Sequence, residues 1–190
     1  MAKKNQGNNK GAVAWALARI SIGLIFLWAF FDKLLGLGYA TCRAKDTGVV
    51  TYLCDLPEKA HASSAWINGG SPTYGFLKFG SKGPLADFFQ GLASTNANSL
   101  VNWMFMMGLL LIGIALTFGI AMKLATIAGS LLLLMMWMAA LWPANNPILD
   151  DHIVYIFVLL GLKHNSDQQK LSLINWWKSQ SLVKKLPILG

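Results

Sequence analysis

Apolar residues run without a charge from Phe88 through Met122 and again from Leu124 through Leu149, so a single cation, Lys123, divides two long uncharged stretches. The hydrocarbon core of a bilayer takes about 20 apolar helical residues. The pattern predicts membrane helices at 100–121 and 124–142, antiparallel and joined by a very tight turn. An earlier run over 13–31 is interrupted by Arg19 and closes on Trp28, Phe30 and Phe31 before Asp32 and Lys33. It is longer than the roughly 7–15 apolar residues of a cleaved signal peptide. A first membrane helix retained in the mature chain is therefore expected. The last apolar run, Ile153 to Leu162, covers only about 15 Å as a helix. It crosses only if the helix starts near Ile148, which brings Asp150, Asp151 and His152 to the head groups or below them. Without that crossing an apolar run is left exposed. The expected fold is an all-α integral membrane protein: a four-transmembrane-helix bundle with spans 13–33, 100–121, 124–142 and 148–163. The outer loop is 34–99 and the tail 164–190, in a single membrane domain over 1–190.

Composition agrees with that pattern. Of 190 residues 55% are hydrophobic and 13% charged, and the mean hydropathy is +0.48. Soluble domains carry about a quarter charged residues. The balance excludes a disordered tail, a collagen-like chain and a disulfide-rich mini-protein. The net charge of +8 raises nucleic acid as a partner, but the placement of the cations answers it. With the N-terminus inside, Lys3, Lys4, Lys10, Lys123, Lys163, Lys170, Lys178, Lys184 and Lys185 are cytoplasmic against one acid, Asp167. Lys33, Arg43, Lys45, Lys59, Lys78 and Lys82 lie outside with seven acids. Short flanks rich in Lys stay inside. Both termini are predicted cytoplasmic, with the positive charge facing anionic lipid and no nucleic acid.

The outer loop is too long for a simple connection. Residues of strand character around Asp46-Thr47-Gly48 predict a hairpin that sets Cys42 opposite Cys54. A structural disulfide is expected outside the membrane. A redox-active pair is the sharper alternative, though the spacing is not the C-x-x-C that tunes a thiol. Zinc lacks ligands, since only His61 joins these two. The stretch from Trp66 to Leu77 predicts a shaped loop against the bilayer or over the bundle. After Pro84, Leu85, Phe88, Phe89 and Leu92 follow helical spacing, as an interfacial helix, a plain cover or a substrate-shaping lid. The glycines lack the spacing of a phosphate loop. The tail, with Trp176, Trp177 and five lysines from Lys163 onward, reads as a membrane-surface segment that anchors the chain or docks a soluble partner.

Ionisable residues inside spans are costly and mark places to seek function. Arg19 and Lys33 project from nearly one face of the first helix, with Ile22, Gly23, Phe26 and Phe30 between them. Arg19 lies near enough to the cytoplasmic surface to snorkel. Asp167, a lipid phosphate, an anionic substrate or a quinone oxygen are its candidate partners. Lys33 is expected to meet Asp150 or Asp151. Asp151, His152 and Tyr155 gather at one helix end, either to pass protons to a quinone oxygen or as a satisfied polar cap. Met104, Met106, Met107, Met135, Met136 and Met138 suit packing better than Cu(I) binding, and no metal site is expected.

The segment Ala18-Arg19-Ile20-Ser21-Ile22-Gly23-Leu24-Ile25-Phe26, ending in Asp32-Lys33-Leu34, resembles the first helix of DoxX/DoxD-like membrane proteins. Asn146-Pro147-Ile148-Leu149-Asp150-Asp151-His152-Ile153 and Leu159-Leu160-Gly161-Leu162 resemble the start and end of their fourth helix. The Gly69-Gly70-Ser71-Pro72-Thr73 loop with Gly83-Pro84 resembles the outer loop of some members. The resemblance covers about Trp15 to Leu162. It implies a four-helix protein akin to the membrane subunit of thiosulfate:quinone oxidoreductase, in a prokaryotic plasma membrane. Arg19, Lys33 and Asp151 are then functional candidates, quinone is the redox partner, and a soluble oxidoreductase subunit or a second copy of the chain is the protein partner. The chain carries no flavin, haem or iron–sulfur motif. A non-catalytic scaffold or lipid-binding bundle is the competing expectation.

Overall fold

The computed structural model describes residues 6–39, 65–164, 170–186 and 189, and it is helical with no strand among them. The hairpin expected around Cys42 and Cys54 lies outside the described residues. Three helices are long and apolar enough to cross a membrane. These are α1 (Gln6–Leu35), whose apolar portion is Gly11–Leu35, then α3 (Leu100–Phe118) and α4 (Met122–Ala139). Between α1 and α3 comes the short α2 (Ala86–Gly91). After α4 follow α5 (Asp151–His164), α6 (Ile174–Ser179) and α7 (Ser181–Lys185).

Backbone hydrogen bonding decides where the spans stop. α3 ends three residues before the expected Ala121. Gly119 takes the left-handed conformation, φ 68°, and the Ile120 amide donates back to the Ala115 carbonyl at 3.0 Å. That is the glycine-terminated helix end in which a reversed bond satisfies a last-turn carbonyl. Residues 119–121 are the tight turn into α4. α4 in turn stops at Ala139, short of the expected Trp142: Pro143 has no amide hydrogen to offer the Ala139 carbonyl, which accepts the Lys82 amide instead.

α5 starts at Asp151 and not near Ile148. Asn146 Oδ1 accepts the amides of Ile148 (2.9 Å) and Leu149 (2.8 Å), and Trp137 Nε1 donates to the Ile148 carbonyl at 2.8 Å. Those bonds hold the chain in a turn after Pro147. Fourteen residues then give about 21 Å of helix, less than the roughly 30 Å of a hydrocarbon core.

The described chain forms two compact units, Met1–Phe26 with Leu111–Leu134 and Asp151–Gly190, and Leu27–Leu110 with Met135–Asp150. In the first, glycines set the helix contacts. A Cβ on Gly23 would stand 2.6 Å from the Thr117 backbone nitrogen; one on Gly129 would stand 3.0 Å from Leu159, and one on Gly161 2.7 Å from Trp15. Close backbone approach at small residues is how helices associate in lipid, where burial of apolar surface gives no preference for protein over tails. The outward faces carry Leu24, Ile25, Leu111, Ile127 and Leu131, all about half exposed. Such apolar surface belongs against acyl chains.

In the second unit, residues 65–93 form a cap of short helices on the ends of two spans. Leu77, Phe89 and Ala139 make its core, with Phe76, Leu92, Val101 and Met138 around them. The Lys82 amide donates to the Ala139 carbonyl at 2.9 Å. Gly83, at φ 67°, comes so close to the Leu141 carbonyl that a Cβ would overlap it. The expected stripe of Leu85, Phe88, Phe89 and Leu92 is divided, because the α-helix there is only six residues long. Phe89 is buried, whereas Phe88 is 61% exposed.

Replacing Gly23 by Val drives a branched side chain into α3 backbone that has no rotamer to yield. We expect it to lower unfolding stability in detergent by about 3 kcal/mol. Gly11→Ala, where a Cβ meets open space, should be neutral or slightly stabilising. Thermal unfolding of the two variants side by side checks the pair.

Candidate functional site

Arg19 belongs to an inward stripe on α1, with Ala16, Ile22, Gly23, Phe26 and Phe30 also buried. Its side chain is completely buried. Around it stand four peptide carbonyls. Nη1 donates to Leu116 and to Thr117 at 3.0 Å, and Nη2 donates to Leu171 at 2.7 Å and Lys170 at 3.3 Å. Leu116 and Thr117 lie in the last turn of α3, where carbonyls lack helical partners and the helix dipole is negative. A guanidinium has five N–H donors, so only Nε remains, buried and without a partner among the described residues. The arrangement depends on Gly119. A Cβ there would meet Arg19 Nη1 at 2.7 Å and Ser172 Cβ at 2.5 Å.

Snorkelling was one expectation for Arg19; in the structure its guanidinium is paired within the protein. The α3 carbonyls converge on it and the tail segment 170–173 closes over it, so the side chain is buried. Asp167, another candidate partner, lies outside the described residues. Chemically the group is a fastener: it caps α3 and, with the Leu173 amide donating to the Phe118 carbonyl at 2.8 Å, ties the tail to the end of that span.

Lys33 is half-buried at the far end of α1, in the other unit. Its neighbour Asp32 is almost wholly buried, and Asp32 Oδ1 accepts the Tyr39 amide at 3.1 Å. Tyr39 also meets Trp28 edge-on, ring centres 5.1 Å apart. The chain thus folds back along α1 after Leu35. Asp32 was not among the expected site residues, because its burial comes from this fold-back and not from its helical face.

Asp151, His152 and Tyr155 occupy the first turns of α5. Asp151 is exposed; His152 and Tyr155 are half-buried. This turn lies about 20 Å, by helical rise, from the C-terminal end of α5, after which the chain runs on to the segment that covers Arg19.

A second buried polar centre was not anticipated. Asn102, in the first turn of α3, is fully buried. Its Oδ1 accepts Thr73 Oγ1 at 2.6 Å and the Thr73 amide at 3.2 Å. Its Nδ2 donates to Ser71 Oγ and to the Asn96 carbonyl, both at 2.9 Å, and Ser71 Oγ donates to the Ser94 carbonyl at 2.7 Å. Every donor and acceptor of the amide is satisfied. The knot fixes the cap to the start of α3, and Trp66 adds to it by donating to the Ala97 carbonyl at 2.8 Å and stacking edge-on with Trp103. A lone asparagine in a charge-free span was the signal in the sequence.

Among the described residues no group of three or more His, Cys, Asp or Glu is placed to hold a metal. Of the methionines, Met106 is buried while Met104 is 67% exposed. Cys42 and Cys54 lie outside the described residues. No family model, curated protein or solved structure matches the chain.

The two fasteners act on different parts of the chain, so their loss should be separable. Arg19→Ala leaves four carbonyls without donors and should cost about 3 kcal/mol or more. It should open the tail at residues 170–173 to protease while the cap stays resistant. Asn102→Ala should do the reverse, exposing 65–99. Limited proteolysis in detergent, read by mass spectrometry, checks both.

Proposed function

We propose that the chain is the membrane subunit of a quinone-linked oxidoreductase of the DoxX-like kind, acting with a soluble partner on a sulfur compound or thiol at a prokaryotic plasma membrane. The proposal includes four crossings, with both termini cytoplasmic and α5 as the short fourth helix. In support, α5 buries Leu159 and Leu162 completely and still exposes Val154, Phe157 and Leu160. A helix apolar on all faces belongs in lipid. Local thinning of the bilayer accommodates its length.

One observation carries the chemical part: the exposed carboxylate of Asp151 with the half-buried imidazole of His152 and phenol of Tyr155 at the mouth of that helix. Reduction of a quinone takes up protons with the electrons. A carboxylate, imidazole and phenol within one turn are groups able to deliver protons. Electrons would come from the soluble partner. Lys33, near the outer end of α1, supplies a cation to attract an anionic sulfur compound. Arg19 is assigned to assembly and not to substrate.

A second reading, a non-catalytic scaffold or lipid-binding bundle, is favoured by the Arg19 geometry, since its guanidinium donors are directed at peptide carbonyls. Thiosulfate-dependent reduction of a quinone analogue in native membranes distinguishes the two. Asp151→Asn and Tyr155→Phe should each lower turnover about a hundredfold without loss of folded protein. Wild-type rates in both variants would remove the cluster from the mechanism. Co-purifying partners with no turnover would establish the scaffold.

A further inference from the structure

We infer that residues 170–186 form an in-plane platform that binds anionic lipid head groups. The inference rests on the membrane-spanning helices and not on the oxidoreductase reading. The depth of the platform follows from its attachment. The Leu173 amide is bonded to the carbonyl of Phe118, the last residue of α3, and Arg19 holds the carbonyls of Lys170 and Leu171. The segment therefore begins level with the end of a span, at the boundary between hydrocarbon and head groups. Leu171 is fixed there at φ 53°, an uncommon backbone for a leucine.

From that anchor α6 and α7 turn Ile174 and Val183 inward, where both are buried. Their other faces carry Leu173, Trp176, Leu182 and Leu186, each about half exposed. Lys170, Lys178, Lys184 and Lys185 are exposed among them. No acidic residue follows Asp167 in the chain. Exposed tryptophan and leucine interspersed with cations, continuous with the lipid-facing end of a span, match the interface of an anionic leaflet: rings and aliphatic chains among the upper acyl carbons, ammonium groups on phosphates. A nucleic acid would need the cations without the apolar face. A soluble protein has no claim to a surface set at this depth by Arg19.

Hydrogen exchange of the full chain in lipid nanodiscs, followed by mass spectrometry, tests the inference. Replacing zwitterionic lipid by a mixture containing phosphatidylglycerol should slow exchange over residues 170–186 about tenfold and leave the spans unchanged. High salt should reverse the slowing, as should the exposed-surface variant K178Q/K184Q/K185Q. Equal exchange in the two lipids would overturn the inference. So would an unchanged lipid response in the triple variant, or protection that arises only when a soluble protein is added.

Discussion

Away from water, a polar group is stable only where another polar group meets it, and this protein is arranged around two places where that requirement is fulfilled. Arg19 is the more demanding, because its charge is permanent and because no carboxylate is seen to answer it among the described residues. Four peptide dipoles do so instead. A cation at the negative end of a helix is favourably placed, and the same guanidinium fixes the conformation of the following segment. The cost of burying it is offset only if the α3 terminus, Gly119 and residues 170–173 are assembled together. One residue thus couples the end of a span to the chain that leaves the membrane.

Asn102 does the corresponding work for the cap. A neutral amide is less costly to bury than a charge, and here both of its ends are matched by Ser71, Thr73 and Asn96. The short helices of residues 65–93 have little core of their own. Their order comes from that knot and from packing Leu77 and Phe89 on Ala139. Each of the two units is therefore closed by the same physical device, a buried polar residue of a span recruiting an irregular segment.

The sequence made the spans legible because charge-free stretches of that length have few other stable locations. Helical periodicity also aligned Arg19 with Ile22, Phe26 and Phe30 on one face of α1, and that face is buried in the structure. The partners of Arg19 were not legible. Every residue has a carbonyl, so no letter in the chain marks Leu116 or Leu171 as an acceptor, and the eye goes to Asp167 or a lipid phosphate instead. Helix ends shifted by two or three residues for a similar reason: reversed bonds at Gly119 and the Asn146 turn before α5 are local backbone events with weak signatures. Asp32 and Asn102 were passed over because their burial arises from fold-back and docking.

The structure depends most on Arg19 being held by peptide carbonyls inside the bilayer-embedded chain. Solid-state NMR in lipid bilayers, with labelled guanidinium nitrogens and carbonyl-labelled leucine, measures that directly through nitrogen–carbonyl dipolar couplings and through exchange of the guanidinium protons with water. Strong couplings to the carbonyls of Leu116 and Leu171 and slow proton exchange are expected. Weak couplings with rapid exchange would place the guanidinium in the head-group water and contradict that arrangement.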